Sequence, residues 1–176
     1  MRRPGAHWSG WLLALLLCGA PPLPAADVLG LETLADEVPA IALVAAEDGA
    51  ALTLAELRGK TVLLHFWATW CKPCKEELPA LDSLTDDLDA ARFAVVLVAI
   101  DTNTTPAEVL AYARHLGVRL PVYVAGKGGV SDSFWGWGLP VSYLIDGQGQ
   151  FIGRLRGPRP WREPALRTAL AALQRP

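Results

Sequence analysis

Cysteine is scarce in this sequence, with three in 176 residues. Small secreted domains stapled by disulfides carry several pairs that close long loops, so a scaffold of that kind is excluded. The same shortage rules out a tetrahedral zinc site built from two Cys-X-X-Cys pairs, and His65 and His115 show no ligand spacing that would complete one. Charge of one sign is also missing. The net charge is -2 and the sixteen basic residues are scattered, so no basic stripe marks a nucleic-acid partner. Internal repeats and low-complexity blocks are absent as well.

What is present begins with a leader. Arg2 and Arg3 precede an apolar run, WLLALLLC from Trp11 to Cys18, followed by APPLPAA and then Asp27. This basic, apolar, small-residue order is that of a secretory signal, expected over residues 1–26 with cleavage near Ala25 or Ala26. The run falls short of the roughly twenty residues that span a bilayer. Lipid attachment at Cys18 is disfavoured by Leu17, which stands where such signals carry a small residue. Cleavage would remove Cys18 and leave Cys71 and Cys74 alone, in an oxidising compartment. A bridge between them closes almost no loop and adds little chain-entropy stabilisation, so the pair is there for chemistry.

With 52% of its residues hydrophobic, the chain has room for one compact domain, expected over residues 39–176 behind a linker at 27–38. The pattern IALVAAEDGAALTLAEL suggests an N-terminal hairpin turning at Asp48-Gly49, then a helical turn at Leu54 to Leu57. Thr61 to Trp67 (TVLLHFW) is nearly continuous apolar, as in a central strand covered on both faces. Leu78, Leu81, Leu84 and Leu88 form an apolar stripe on a helix over Pro73 to Leu88, with Glu76, Asp82, Asp86 and Asp87 on the other face. Phe93 to Ile100 reads as a second buried strand. A helix from Pro106 to His115 is capped by Thr104-Thr105 and stopped by Gly117. Leu120 to Ala125 reads as an edge strand or loop, and Gly126 to Gly129 as flexible. Val141 to Ile145 and Gln150 to Leu155 form strands around Asp146-Gly147, and Glu163 to Leu173 a terminal helix. The order hairpin, β, α, β, α, β, β, α fits an α/β thioredoxin fold, a central mixed sheet flanked by helices with an N-terminal β-hairpin extension.

At the start of the first long helix, the Cys71 sulfur would face unsatisfied backbone N–H groups and the positive end of the helix dipole, which favour a thiolate. Lys72 adds a positive charge, and Pro73 suits the first turn because its missing N–H costs nothing there. Cys71 is then the expected exposed nucleophile. Cys74, one turn later and more buried, is the expected resolving cysteine. A copper-binding module is the non-enzyme alternative, with two thiols and His65 holding a soft ion. The place of His65 inside an apolar strand argues for a core histidine instead. An oxidant that introduces disulfides would use the same two cysteines at the opposite redox poise.

The stretch VLLHFWATWCKPCKEELPAL, Val62 to Leu81, resembles the active-site segment of the TlpA/ResA-like branch of the thioredoxin family. Upstream, DGAALTLAELRGK resembles the hairpin and turn before that branch's first central strand. Downstream, GLPVSYLIDGQGQFIGRLRG resembles its GxPTTFLID segment and the strand that follows. The resemblance implies an extracytoplasmic thiol-disulfide oxidoreductase without a bound cofactor or metal. It further implies a membrane thiol-transfer donor of the DsbD/CcdA type, and targets such as apo-cytochrome c or copper-site cysteines. By position, Cys71 and Cys74 match the redox pair, Pro140 the cis-proline, and Glu77 an acidic residue that tunes the cysteines; read alone, Glu77 is equally an exposed helix glutamate. Trp70, Leu139 and Trp137 are the expected substrate-binding residues, although Trp135 and Trp137 read more readily as core cover than as a docking surface. Two departures stand out. His65 occupies the place of a buried acid or asparagine, and Val141-Ser142 replaces Thr-Thr after the proline. Nothing in the sequence calls for more than a monomer.

Overall fold

The computed structural model describes residues 24–35, 37–125, 134 and 138–174. Seven strands form one mixed sheet: β1 Ala42–Ala45, β2 Ala51–Thr53, β3 Thr61–Trp67, β4 Phe93–Ala99, β5 Val122–Ala125, β6 Val141–Ile145 and β7 Phe151–Arg156. Among the described residues four bounded helices accompany them: α1 Ala25–Leu29, α2 Lys72–Asp82, α3 Pro106–His115 and α4 Pro164–Ala172. The spatial order is β2-β1-β5-β4-β3-β6-β7. β3 runs parallel to β4 and antiparallel to β6, and β4 runs parallel to β5. Strands joined by helical crossovers and closed by an antiparallel hairpin and a helix make this the thioredoxin fold, as the sequence pattern predicts.

β3 is buried along its whole length because the sheet is covered on both sides. Its alternation splits the core in two. Leu63 and Trp67 face the side packed by Leu78, Leu81 and Leu84 of the α2 stripe and by Leu166 and Leu170 of α4. Val62, Leu64 and Phe66 face the other side, with Phe134, Val141, Tyr143 and Ile145.

The N-terminal hairpin forms as expected, Gly49 taking φ 76° at its turn. It then does something the pattern of β5 does not show: β1 pairs antiparallel with β5. The expected edge strand or loop at Leu120 to Ala125 is therefore an interior strand, because a segment some eighty residues upstream takes its free side. The expected helix over Pro73 to Leu88 also ends sooner. α2 stops at Asp82 and a 3₁₀ turn runs over Ser83–Asp86. Asp82, expected on the solvent face, is buried; its carboxylate accepts from the amides of Arg119 and Leu120 and from Arg119 Nε. That carboxylate tethers the start of β5 to α2, so α3 is bounded by contacts at both ends; its own N-terminus carries a Thr105-Glu108 capping box.

The arm ahead of residue 39 packs on the domain. Leu29 of α1 is buried, and Glu32 exchanges backbone hydrogen bonds with Arg154 of β7 while its carboxylate accepts from Arg154 and Arg156. Gly153 permits this approach, since a Cβ there would lie 2.9 Å from the Glu32 carbonyl oxygen. No described helix is long and apolar enough to cross a membrane.

Candidate active site

Cys71 ends the loop that leaves β3 and caps α2. Its backbone is extended, Pro73 occupies the first turn, and its sulfur accepts a hydrogen bond from the Cys74 amide at 3.3 Å. The two cysteines form a disulfide with Cα atoms 5.4 Å apart. Cys74 is fully buried and Cys71 is 5% exposed. The expectation of an exposed nucleophile thus becomes a difference of degree. Sulfur surface is small, and the side chain that stands out at this rim is Trp70, 68% exposed. The loop before Cys71 is held by Thr69, whose amide and hydroxyl both donate to Asp101 at the end of β4. Sequence spacing offers no sign of that anchor, because the partners lie on different elements.

Pro140 is buried at the start of β6 and follows a cis Leu139-Pro140 peptide; Leu139 is half-buried. Trp135 and Trp137 lie outside the described residues.

Glu77 is no exposed helix glutamate. It lies one turn after Cys74 on the same face of α2 and is 6% exposed. The signal was available: positions 74, 77, 78 and 81 recur at the spacing of a buried helix stripe, and 77 falls within it. Its Oε2 accepts from the Arg159 amide at 2.9 Å and from Trp161 Nε1 at 2.6 Å. Burial pushes its carboxyl up to about 7, against those two hydrogen bonds and the Arg159 charge, which favour the ionised form. Its Oε1 lies 3.5 Å from Nε2 of His65.

His65 is fully buried on the α2 side of β3. The β3–β6 register sets it opposite Ser142, and its Nδ1 lies 2.8 Å from the Ser142 hydroxyl oxygen. Desolvation lowers its basicity to about 3, which keeps the ring neutral near pH 7. It does not join the cysteines as a third ligand: its two nitrogens face Ser142 and Glu77. Among the described residues no group of three or more His, Cys, Asp or Glu side chains is placed to hold a metal ion.

Fold and site together define a thioredoxin-fold protein with a Cys-X-X-Cys disulfide at the start of a helix and a cis-proline at the start of β6. Residues 34–152 match the model of the AhpC/TSA family, and the chain belongs to that family. It is 31% identical over 110 residues to the thiol-disulfide oxidoreductase ResA of Bacillus thuringiensis subsp. konkukian (strain 97-27), an alignment covering 62% of this chain and 62% of ResA. It is 32% identical over 124 residues to the thiol:disulfide interchange protein HelX of Rhodobacter capsulatus, covering 69% of this chain and 67% of HelX. A crystal structure of a thiol:disulfide interchange protein of the thioredoxin family from Chlorobium tepidum superposes with TM-score 0.59 at 27% identity. That superposition covers 79% of this chain and 99% of the other.

Proposed function

We propose that this chain is an extracytoplasmic thiol-disulfide oxidoreductase that reduces disulfides in target proteins through Cys71 and Cys74. The observation that carries the reading is the cysteine pair itself: a disulfide at the N-terminus of α2, with the Cys74 amide directed at the Cys71 sulfur. In the reduced state the same amide and the helix dipole favour negative charge on Cys71.

The Cys71 thiolate attacks one sulfur of the target disulfide, forming a mixed disulfide and expelling the second target sulfur as a thiolate. Cys74 loses its proton and attacks the Cys71 sulfur; the Cys71–Cys74 bond forms and the first target thiolate leaves. Two electrons pass to the target, and a donor dithiol restores the pair. Glu77, one turn after Cys74 on α2, is the carboxyl assigned to hold or release a proton for it. Trp70, Leu139 and Trp137 are the residues assigned to target docking, and Pro140 is assigned to offer backbone to a target strand. The leader over residues 1–26 fits delivery to the periplasm or its equivalent. The relatives' names point to disulfide-bearing targets; within that class, apo-cytochrome c and copper-site cysteines are the targets the family resemblance implies. A DsbD/CcdA-type membrane protein is the donor, and the chain acts as a monomer without nucleic acid, cofactor or metal.

The deciding experiment is the reduction potential of the Cys71–Cys74 pair in glutathione and dithiothreitol buffers, with insulin reduction followed in parallel. Potentials of such pairs spread from roughly -270 to -120 mV. A value near the low end with insulin turnover supports the reductase. A value near the high end makes the chain a disulfide donor and overturns the direction assigned here.

A further inference from the structure

Two polar atoms on the α2 side of the sheet face each other and nothing else: His65 Nε2 and Glu77 Oε1 are buried, 3.5 Å apart, and neither has another hydrogen-bond partner. A buried carboxyl oxygen and a buried ring nitrogen are costly unless a proton lies between them. The other ring nitrogen is engaged by Ser142, a hydroxyl that can donate or accept. Three groups in a row, each able to exchange donor and acceptor roles, make a chain along which a proton can pass.

We propose that Ser142, His65 and Glu77 form a buried proton relay in which a neutral His65 exchanges its two tautomers as the Glu77 carboxyl gains and loses its proton. With Glu77 ionised, Nε2–H donates to Oε1 and Nδ1 accepts from the Ser142 hydroxyl. When the Ser142 hydroxyl passes a proton to Nδ1 and is itself reprotonated, the Nε2 proton moves to Oε1. The carboxyl then donates to Nε2, and Nδ1–H donates to the Ser142 oxygen. The pair has taken up one proton and the ring has carried no charge. The titratable and charged groups around it are Cys74, one turn earlier on α2, and Arg159, in the segment between β7 and α4. The raised carboxyl and the weakly basic ring agree with this exchange, since both favour the states without a buried imidazolium. His65 acts through Glu77 and is a positioning residue. Its use in the redox cycle rests on the oxidoreductase reading; the relay itself does not.

The test is long-range proton–nitrogen NMR of the full chain labelled at histidine, from pH 5 to 9, with the Glu77 carboxyl followed by carbon-13 in the same samples. His65 is assigned by its absence in His65→Asn. The expected result is a neutral ring bearing Nδ1–H at the acid end and Nε2–H at the alkaline end, both transitions sharing the Glu77 midpoint. In Glu77→Gln, whose amide can only donate to Nε2 in that place, one tautomer persists throughout. Ser142→Ala removes the partner of Nδ1 in both states; because a buried N–H without an acceptor costs more than a bare nitrogen without a donor, it lowers the Glu77 midpoint by about one pH unit, a tenfold loss of proton affinity. A single tautomer across the range in the wild type, a His65 cation, a Glu77 that does not titrate, or an unmoved midpoint in Ser142→Ala overturns the relay. Insulin reduction by the same preparations separates the two readings. Inactive chains with the tautomer exchange lose the oxidoreductase assignment alone, and active chains with a fixed tautomer lose the relay alone.

Discussion

The two faces of β3 are built on opposite terms. On one, Phe66 packs with Phe134 and Tyr143, and Tyr143 with Phe134 and Phe151, at centroid separations of 5.3 to 6.2 Å. The polar atom of that ring cluster, the Tyr143 hydroxyl, donates to the Phe134 carbonyl. On the other face, one residue along the same strand, His65 meets Glu77 and Ser142 beneath the helix that carries the cysteines. A strand that alternates sides can devote one to packing and the other to proton chemistry, and the expectation is that each side can be altered with little effect on the other.

The comparison breaks most completely at the rim of the polar side. Cys71→Ser abolishes insulin reduction, and Cys74→Ser accumulates mixed disulfides visible on non-reducing gels, while both leave the ring cluster packed. Full activity in Cys71→Ser would sink the mechanism. Next comes the apolar side. Phe66→Ala removes the ring that β3 contributes and costs about 3–5 kcal/mol in urea unfolding, with the disulfide-exchange rate of the remaining folded molecules unchanged. A loss of exchange in folded protein would show that the faces are not independent.

The polar side responds to pH in a way that sharpens the contrast. Glu77, raised from 4.5 to about 7 on folding, stabilises fully below pH 4.5 and loses that contribution as pH rises towards 7. His65, lowered from 6.5 to about 3, stabilises above 6.5 and loses that contribution as pH falls towards 3. Between about 4.5 and 6.5 the two slopes oppose and nearly cancel. Each single variant therefore exposes the other residue. Glu77→Gln loses stability as pH falls below 6.5, and His65→Asn gains it as pH falls from 7 to 4.5, each by up to about 1.4 kcal/mol per pH unit. Urea unfolding across that range checks both signs. The smallest effect is at Trp70. Trp70→Ala leaves stability within about 0.5 kcal/mol and raises KM for a protein disulfide while leaving exchange with dithiothreitol unaltered.

Most of the apolar side was legible in the sequence, since β3, β4 and β6 are short continuous runs whose neighbours only have to be apolar too. α3 was legible for a different reason: Thr105, Pro106 and Glu108 specify its start locally. The disulfide was legible as two cysteines three positions apart. What escaped depends on partners set by tertiary placement. Asp82 looks like a solvent-face acid until the start of β5 supplies two amides to it, and β5 looks like an edge until β1 arrives. Glu77 was named as a site residue, but its burial follows from a stripe in which a glutamate sits among leucines. The meeting of His65 with Ser142 follows from a strand register that joins residues 77 apart, and no local pattern encodes it.

The Glu32 bridge has a further consequence at the rim of the sheet. β7 is the last strand on its side, and an open last strand offers unpaired amides and carbonyls to any extended chain nearby. Glu32 occupies the Arg154 amide and carbonyl and adds carboxylate contacts to two arginines. At the opposite rim β2 is three residues long, too short to template a stable addition. Both borders of the sheet are thus poor in places where an extended chain could stack, and if the proposed reduction of protein disulfides holds, targets are left to attach at the cysteine rim.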